Sequence, residues 1–231
     1  MKLKYIISSV LLTLIISSCT TIKTVKSIYA TEAHYQDYSN GEKNIRFVPM
    51  AHISTKEFYK DVVRVITESK KNDFVLFYEF VDIGKASDEE QRKIRKLVGF
   101  IPSPEGYEKM LDKLSDERLV AQDNDQFLGL VNQKDFNADV APQDVVNTYE
   151  KMYGSLVLTE TDLNTPLTET IKDIEPKKQT MRVLLDFRNE YLANEIDKSK
   201  YKNIIVLYGA KHEKGLLKDL KKLDGDWKKV K

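Results

Sequence analysis

The sequence predicts an α/β fold: a mixed, mainly parallel central sheet flanked by helices, with an N-terminal hairpin and a largely helical insertion at about residues 100–178. Three changes of period carry this reading. In residues 203–223, NIIVLYGAKHEKGLLKDLKKL, five apolar residues from Ile204 to Tyr208 stop at Gly209, and apolar positions then recur at Leu216, Leu217, Leu220 and Leu223. That is a buried strand, a tight turn and an amphipathic helix. Residues 73–81, DFVLFYEFV, form a nearly continuous apolar run, as in strands covered on both faces. Residues 46–51 lead through His52 into Ser54-Thr55-Lys56-Glu57, which reads as a capping box, and Phe58, Val62, Val65, Ile66 and Ser69 then mark one helical stripe.

Residues 29–38 have mixed β propensity, Ser39-Asn40-Gly41 is a turn signal and residues 44–51 are again strand-like, which gives the hairpin, with His34 as an ordinary residue of its first arm. Residues 88–98 read as a charged surface helix, 101–106 as a loop, 108–114 as a helix and 127–131 as a short buried piece. Pro142 suits the first turn of a helix running to Tyr153, and residues 163–174 read as another that ends before Pro176. Thr180 can cap a long helix whose stripe is Met181, Leu184, Leu185, Leu192 and Ile196, with Arg188 in its middle.

At 231 residues, 41% hydrophobic and 32% charged, the chain can bury one sizeable core, and residues 29–231 are expected to form a single domain. Its 37 basic and 36 acidic residues nearly cancel, so no nucleic-acid surface is expected. Lys2 and Lys4 precede an apolar run from Tyr5 to Ile16 that is too short for a membrane span, which reads as a signal segment over residues 1–18. Its end, LIISSC, resembles the lipobox of bacterial lipoproteins, so Cys19, the only cysteine, is the expected lipidation site, with residues 19–28 as tether. An ordinary cleaved signal with an incidental cysteine is the plainer alternative. The lipoprotein reading places the protein in the cell envelope, lipid-anchored, and Thr20 after the cysteine favours the outer membrane where a cell has one.

Residues 47–80 form a β-α-β unit whose strands should be parallel. If the 204–208 strand joins in the same direction, His52, Glu79 and His212 emerge together at the ligand crevice of the sheet. His52 lies two residues before a helix N-cap, where backbone dipoles disfavour protonation. Glu79 interrupts an apolar run and needs a partner; a buried ion pair or an early exit to solvent would account for it equally well. Arg188 on an apolar stripe points to a buried carboxylate or a bound anion, or else snorkels from the stripe's edge. Two imidazoles and a carboxylate could hold a divalent metal ion with a place for water, and Arg188 could hold a substrate carboxylate or an oxyanion. No compact signature such as H-E-x-x-H accompanies them.

The ordered set FVPMAHIS, DFVLFYEF, FRNEYLANEI and IIVLYGAKHEKGL resembles the TraB/PrgY/TIKI family, within the wider group that includes erythromycin-esterase-like and ChaN-like proteins. That family is marked by two G-x-x-H motifs, a glutamate ending a hydrophobic strand, and an arginine in the helix before the second motif. Gly209-Ala210-Lys211-His212 fits the second motif, Glu79 the glutamate and Arg188-Asn189 the arginine, over a likeness spanning about residues 29–223. The first motif departs from the pattern: it reads Pro49-Met50-Ala51-His52, and proline fixes φ near about −65° and removes a donor, so an altered turn is expected.

The resemblance implies a lipid-anchored envelope hydrolase, peptidase or esterase, with His52, Glu79, Arg188 and His212 catalytic and His52, Glu79 and His212 as metal ligands. TIKI-type members are metal-dependent proteases, and the erythromycin-esterase relatives use a histidine base. ChaN-like relatives bind haem, so a haem- or other ligand-binding lipoprotein using His212, Tyr208 or Tyr78 is one alternative. A silent interaction module in which Pro49 marks decay is the other. Expected partners are the membrane, through Cys19, and a peptide or small-molecule substrate.

Overall fold

A computed structural model describes residues 28–114 and 116–230. The expected signal segment, Cys19 and all of the expected tether but Ile28 lie outside the described residues. A strap over residues 28–33 comes first. Ser54 Oγ donates to Ile28 O (3.1 Å), Thr55 Oγ1 to Ala30 O (2.5 Å), and Ala33 N to Asp61 Oδ2 (2.9 Å).

The expected hairpin follows as β1 (Gln36–Ser39) and β2 (Asn44–Met50), antiparallel from Gln36↔Phe47 to Ser39↔Asn44. After β3 (Ile53–Thr55), α1 (Lys56–Lys71) crosses to β4 (Val75–Tyr78). Thr55, not Ser54, is the cap of α1, its hydroxyl accepting from Phe58 N, and the five stripe residues from Phe58 to Ser69 are all buried. The middle of the chain holds α2 (Asp88–Val98), α3 (Pro104–Leu114), β5 (Leu119–Ala121), α4 (Asp125–Leu128), β6 (Phe136–Asn137), α5 (Pro142–Tyr153) and α6 (Glu160–Asn164). A continuous helical run follows as α7 (Lys177–Met181), a π-helical segment (Arg182–Phe187) and α8 (Arg188–Lys198). The chain ends with β7 (Asn203–Gly209), α9 (Glu213–Leu223) and β8 (Lys228–Lys229).

The main sheet has the order β6-β4-β7-β2-β1-β8. β6, β4, β7 and β2 are mutually parallel, and β1 runs against β2 and β8. The β2 and β4 strands of the β-α-β unit are parallel as expected but not adjacent, because β7 lies between them. Its alternation feeds two cores. Ile204, Val206 and Tyr208 pack with Leu192, Ile196, Leu216 and Leu220 of α8 and α9. Ile205 and Leu207 pack with Phe58, Val62 and Ile66 of α1. A third cluster joins Ile94 and Leu97 to Val145, Val146, Tyr149 and Val183 under the middle segment.

Several expectations need correction. The middle segment is largely helical as expected and also holds two short strands, β5 paired with β3 and β6 at the edge of the main sheet. No helix spans 163–174: α6 stops at Asn164, and Arg92 and Arg95 draw the carbonyls of Asp162, Thr165 and Pro166 out of any helical pattern. The α2 helix is not simply a surface helix, because Arg95 is fully buried and Lys96 nearly so, the latter bonded to Asp162 and Asp173. Pro104 opens α3 rather than lying in a loop, in keeping with proline at a first helical position. Thr180 sits inside a helix that begins at Lys177, its hydroxyl donating to Lys177 O. No helix among the described residues is long and apolar enough to cross a membrane.

Candidate active site

Four parallel strands end side by side, and each delivers one group to the same end of the sheet. From β2 comes His52, from β4 Glu79, from β7 His212 after a tight turn, and from β6 Asp139. The pairing Met50↔Gly209 and Tyr78↔Leu207 puts the first three in line. Tyr78↔Asn137, with Ala138 N donating to Tyr78 O (3.1 Å), brings Asp139 alongside Glu79.

Pro49 does not disturb this. Met50 O accepts from Ala210 N, so in the alternating ladder the nitrogen of Pro49 faces away from β7, on the side where β1 no longer pairs beyond Phe47. A residue without a donor loses no ladder bond there. The backbone after it is pinned from two directions: Tyr59 Oη donates to Ala51 O (2.8 Å) and Gln122 N to His52 O (2.8 Å).

Arg188 is the hub. Its Nε and Nη2 grip Asp139 in a fork (2.9 and 2.6 Å), Nη2 also reaches Glu79 Oε1 (2.6 Å), and Nη1 donates to Leu184 O (3.3 Å). All three nitrogens are engaged, through four of the five N–H groups of the guanidinium. Its partner is the buried carboxylate its position on the stripe suggested, in fact two of them. The π-helical segment immediately before it widens the turn and re-phases the helix, so that Arg188 and Asn189 both face inward and are buried.

Glu79 has its second oxygen bound as well, Oε2 accepting from Gly209 N (2.5 Å). Burial pushes its pKa up, but Arg188, His212 and the Gly209 N–H outweigh that and hold it at about 2. A Cβ on residue 209 would lie 3.3 Å from that oxygen, so the glycine lets the carboxylate approach its own backbone donor. Asp139 is pushed the other way: burial raises its pKa against the pull of Arg188.

His212 is buried (3% exposed), edge-on to Tyr208 at 5.3 Å between ring centroids. Its Nδ1 lies 2.8 Å from Asn189 Oδ1, and its Nε2 lies 3.9 Å from Glu79 Oε1. Burial lowers its pKa to about 4 despite Glu79, with Arg188, His52 and Lys211 adding to the fall, so the ring is neutral at pH 7. His52 is exposed, its ring stacked on Tyr107 of α3 at 4.4 Å and 16°. Loss of hydration lowers its pKa too, with Glu79 opposing. It is close enough to feel Glu79 and Arg188, yet makes no ion pair with Glu79 among the described residues.

The metal expectation can be weighed against these contacts. Among the described residues no three His, Cys, Asp or Glu side chains converge as a set that could hold a metal ion. Both oxygens of Glu79 are occupied, one by a guanidinium that would compete with a dication at contact distance. As arranged, His52, Glu79 and His212 do not fit a metal-ligand set. Of the haem candidates, Tyr208 is buried and its hydroxyl donates to Ala138 O (2.5 Å), His212 is buried, and Tyr78 packs half-buried against the α1 core. Among the described residues Tyr208 thus has its hydroxyl engaged in the core, while His212 has Nδ1 engaged and Nε2 beyond hydrogen-bond reach of Glu79.

No family model matches the chain. No solved structure matches it either. The geometry therefore stands on its own residues. It brings together all four groups read from the sequence and adds Asp139 and Tyr107, which were not singled out, and Asn189, which was named only beside Arg188 in the motif. Asp139 follows a strand of only two residues, too short to register as a period. Asn189 left a weak signal, a polar residue three positions before Leu192 on an apolar stripe.

Proposed function

We propose that the protein is a lipid-anchored hydrolase of the cell envelope that acts on an ester or peptide carbonyl, with imidazole rather than a resident metal ion activating the water. The observation that carries this is His212: a buried, neutral imidazole, hydrogen-bonded through Nδ1 and beside a carboxylate that stays ionised. A neutral ring is available as a general base at pH 7. When Nε2 takes a proton from water, the oxygen–carbonyl bond forms, and Glu79 stabilises the imidazolium. Collapse of the tetrahedral intermediate breaks the bond to the leaving oxygen or nitrogen, and the proton passes from His212 to that group. Arg188 keeps Glu79 charged and oriented without touching substrate. His52, exposed and stacked on Tyr107, is placed to meet the substrate first. The motif likeness to the TraB/PrgY/TIKI family supports the reading, and its histidine-base relatives fit this geometry better than its metal-dependent ones. The lipobox-like LIISSC supports the anchor.

The test is hydrolysis of ester and peptide panels by the full chain, with His212→Ala and His52→Ala beside it. Loss of a general base predicts a fall of about 10²–10⁴-fold for His212→Ala. Activity unchanged in His212→Ala, or abolished by a chelator and restored only by a metal ion, would overturn the mechanism.

A further inference from the structure

The side chain that meets His212 from behind belongs to no group a general reading of the site requires. Asn189 is 2% exposed and lies on α8 next to Arg188, which is itself fixed by two carboxylates. Its Oδ1 stands 2.8 Å from His212 Nδ1. Room for it exists only because residue 215, in the first turn of α9, has no side chain. A Cβ there would fall 2.0 Å from Asn189 Nδ2 and 2.9 Å from its Cγ. Asn189 thus shares one small volume with His212 and Gly215, which lie more than twenty residues further along the chain.

An amide could face the ring with either end. With oxygen toward Nδ1, the ring hydrogen is on Nδ1 and Nε2 is a bare lone pair. With nitrogen toward Nδ1, the hydrogen would sit on Nε2 and point at Glu79, which at 3.9 Å is beyond hydrogen-bond reach. The structure has the oxygen toward Nδ1 at 2.8 Å, where two bare acceptors would repel each other, so the first arrangement is the one it holds.

We propose that Asn189 is a positioning residue that fixes His212 in its Nδ1-protonated tautomer, leaving Nε2, on the Glu79 side, as the only nitrogen able to accept a proton, and that Gly215 is the space this requires. The assignment of that nitrogen as base rests on the hydrolase reading; the tautomer itself does not.

The experiment is long-range proton–nitrogen correlation on the full chain labelled at histidine, in detergent, across a pH titration. The chain has three histidines, so His52→Gln and His34→Gln variants assign the signals. His212 is expected as a single Nδ1–H species. Asn189→Asp keeps that tautomer, because a carboxylate can only accept, and raises the His212 midpoint by about one pH unit or more. Asn189→Ala and Gly215→Ala, one deleting the acceptor and the other displacing it, lose the single-species signal. His212 carrying its hydrogen on Nε2 in the unaltered protein would overturn the proposal, as would an unshifted midpoint in folded Asn189→Asp. Should either alanine variant fail to fold, the unaltered protein and Asn189→Asp still decide it. Turnover is not read in any arm, so failure to hydrolyse any substrate would sink the hydrolase reading separately and leave the tautomer result standing.

Discussion

Arg188 carries one positive charge between two carboxylates, so with both ionised the buried trio of Glu79, Arg188 and Asp139 has a net charge of −1. That surplus is placed where an imidazolium on His212 would form, and the charge of Glu79 adds to the upward push that burial gives Asp139. Removing the guanidinium strands two acids in the interior. We predict that Arg188→Met lowers the unfolding free energy by about 3–5 kcal/mol, read by chemical denaturation, and that adding Asp139→Asn recovers part of the loss. His52, Glu79, Arg188 and His212 were legible in the sequence because each breaks an apolar run at a strand end or on a helix stripe. Asp139 was not, since its strand is two residues long and offers no run to break. The pairing of Glu79 with Arg188 joins residues 109 apart and could not be read from spacing. That pairing gives the Glu79 carboxylate the partner that its place in an apolar run called for.

Elements were most readable where one period ran without interruption. The α2 and α5 helices match their expected bounds, and β7 appears where the apolar run lies. The failure at 163–174 has a local cause. Arg95 is fully buried without a carboxylate on its own fork; its Nη atoms bind four backbone carbonyls, of Asp162, Thr165, Pro166 and Glu169. A helix would consume those carbonyls internally, so the clamp and the helix exclude each other. A charged helix face looks the same in sequence whether it meets water or a neighbouring loop. Replacing Arg95 by Met keeps the stem and deletes the clamp. Cleavage within residues 163–176 is expected to rise about tenfold or more, because charge-assisted hydrogen bonds of about 1.5–3 kcal/mol each are lost. The unfolding midpoint of the sheet should move far less, and limited proteolysis against thermal denaturation separates the two.

At the scale of the whole molecule, the site ties stability to acidity. The pKa of His212 is depressed on folding, so the unfolded chain binds more protons, and stability falls as pH drops from about 6.5 through about 4. Glu79 is depressed too, and its share is lost further down, from about 4.5 toward about 2. Asp139, raised by burial, acts in the opposite sense and offsets part of this. Unfolding free energy should therefore decline on acidification in two overlapping steps, the upper worth at most about 3 kcal/mol. His212→Gln should remove most of the upper step, leaving the share of His52, and keep the lower, as measured by urea titration at a series of pH values.

The order of the strands was not available from the sequence, because β7, last of the parallel strands in the chain, is inserted between two that precede it. The strap lies on the same end of the sheet as His52, where Ile28, Ala30 and Ala33 are stitched to β3 and α1. A body moored at its working end cannot swing that end far from the mooring. Cys19 stands nine residues upstream of Ile28, a leash of roughly 30 Å when pulled straight. A lipid on that cysteine would hold the cleft within reach of molecules embedded in, or resting on, the bilayer.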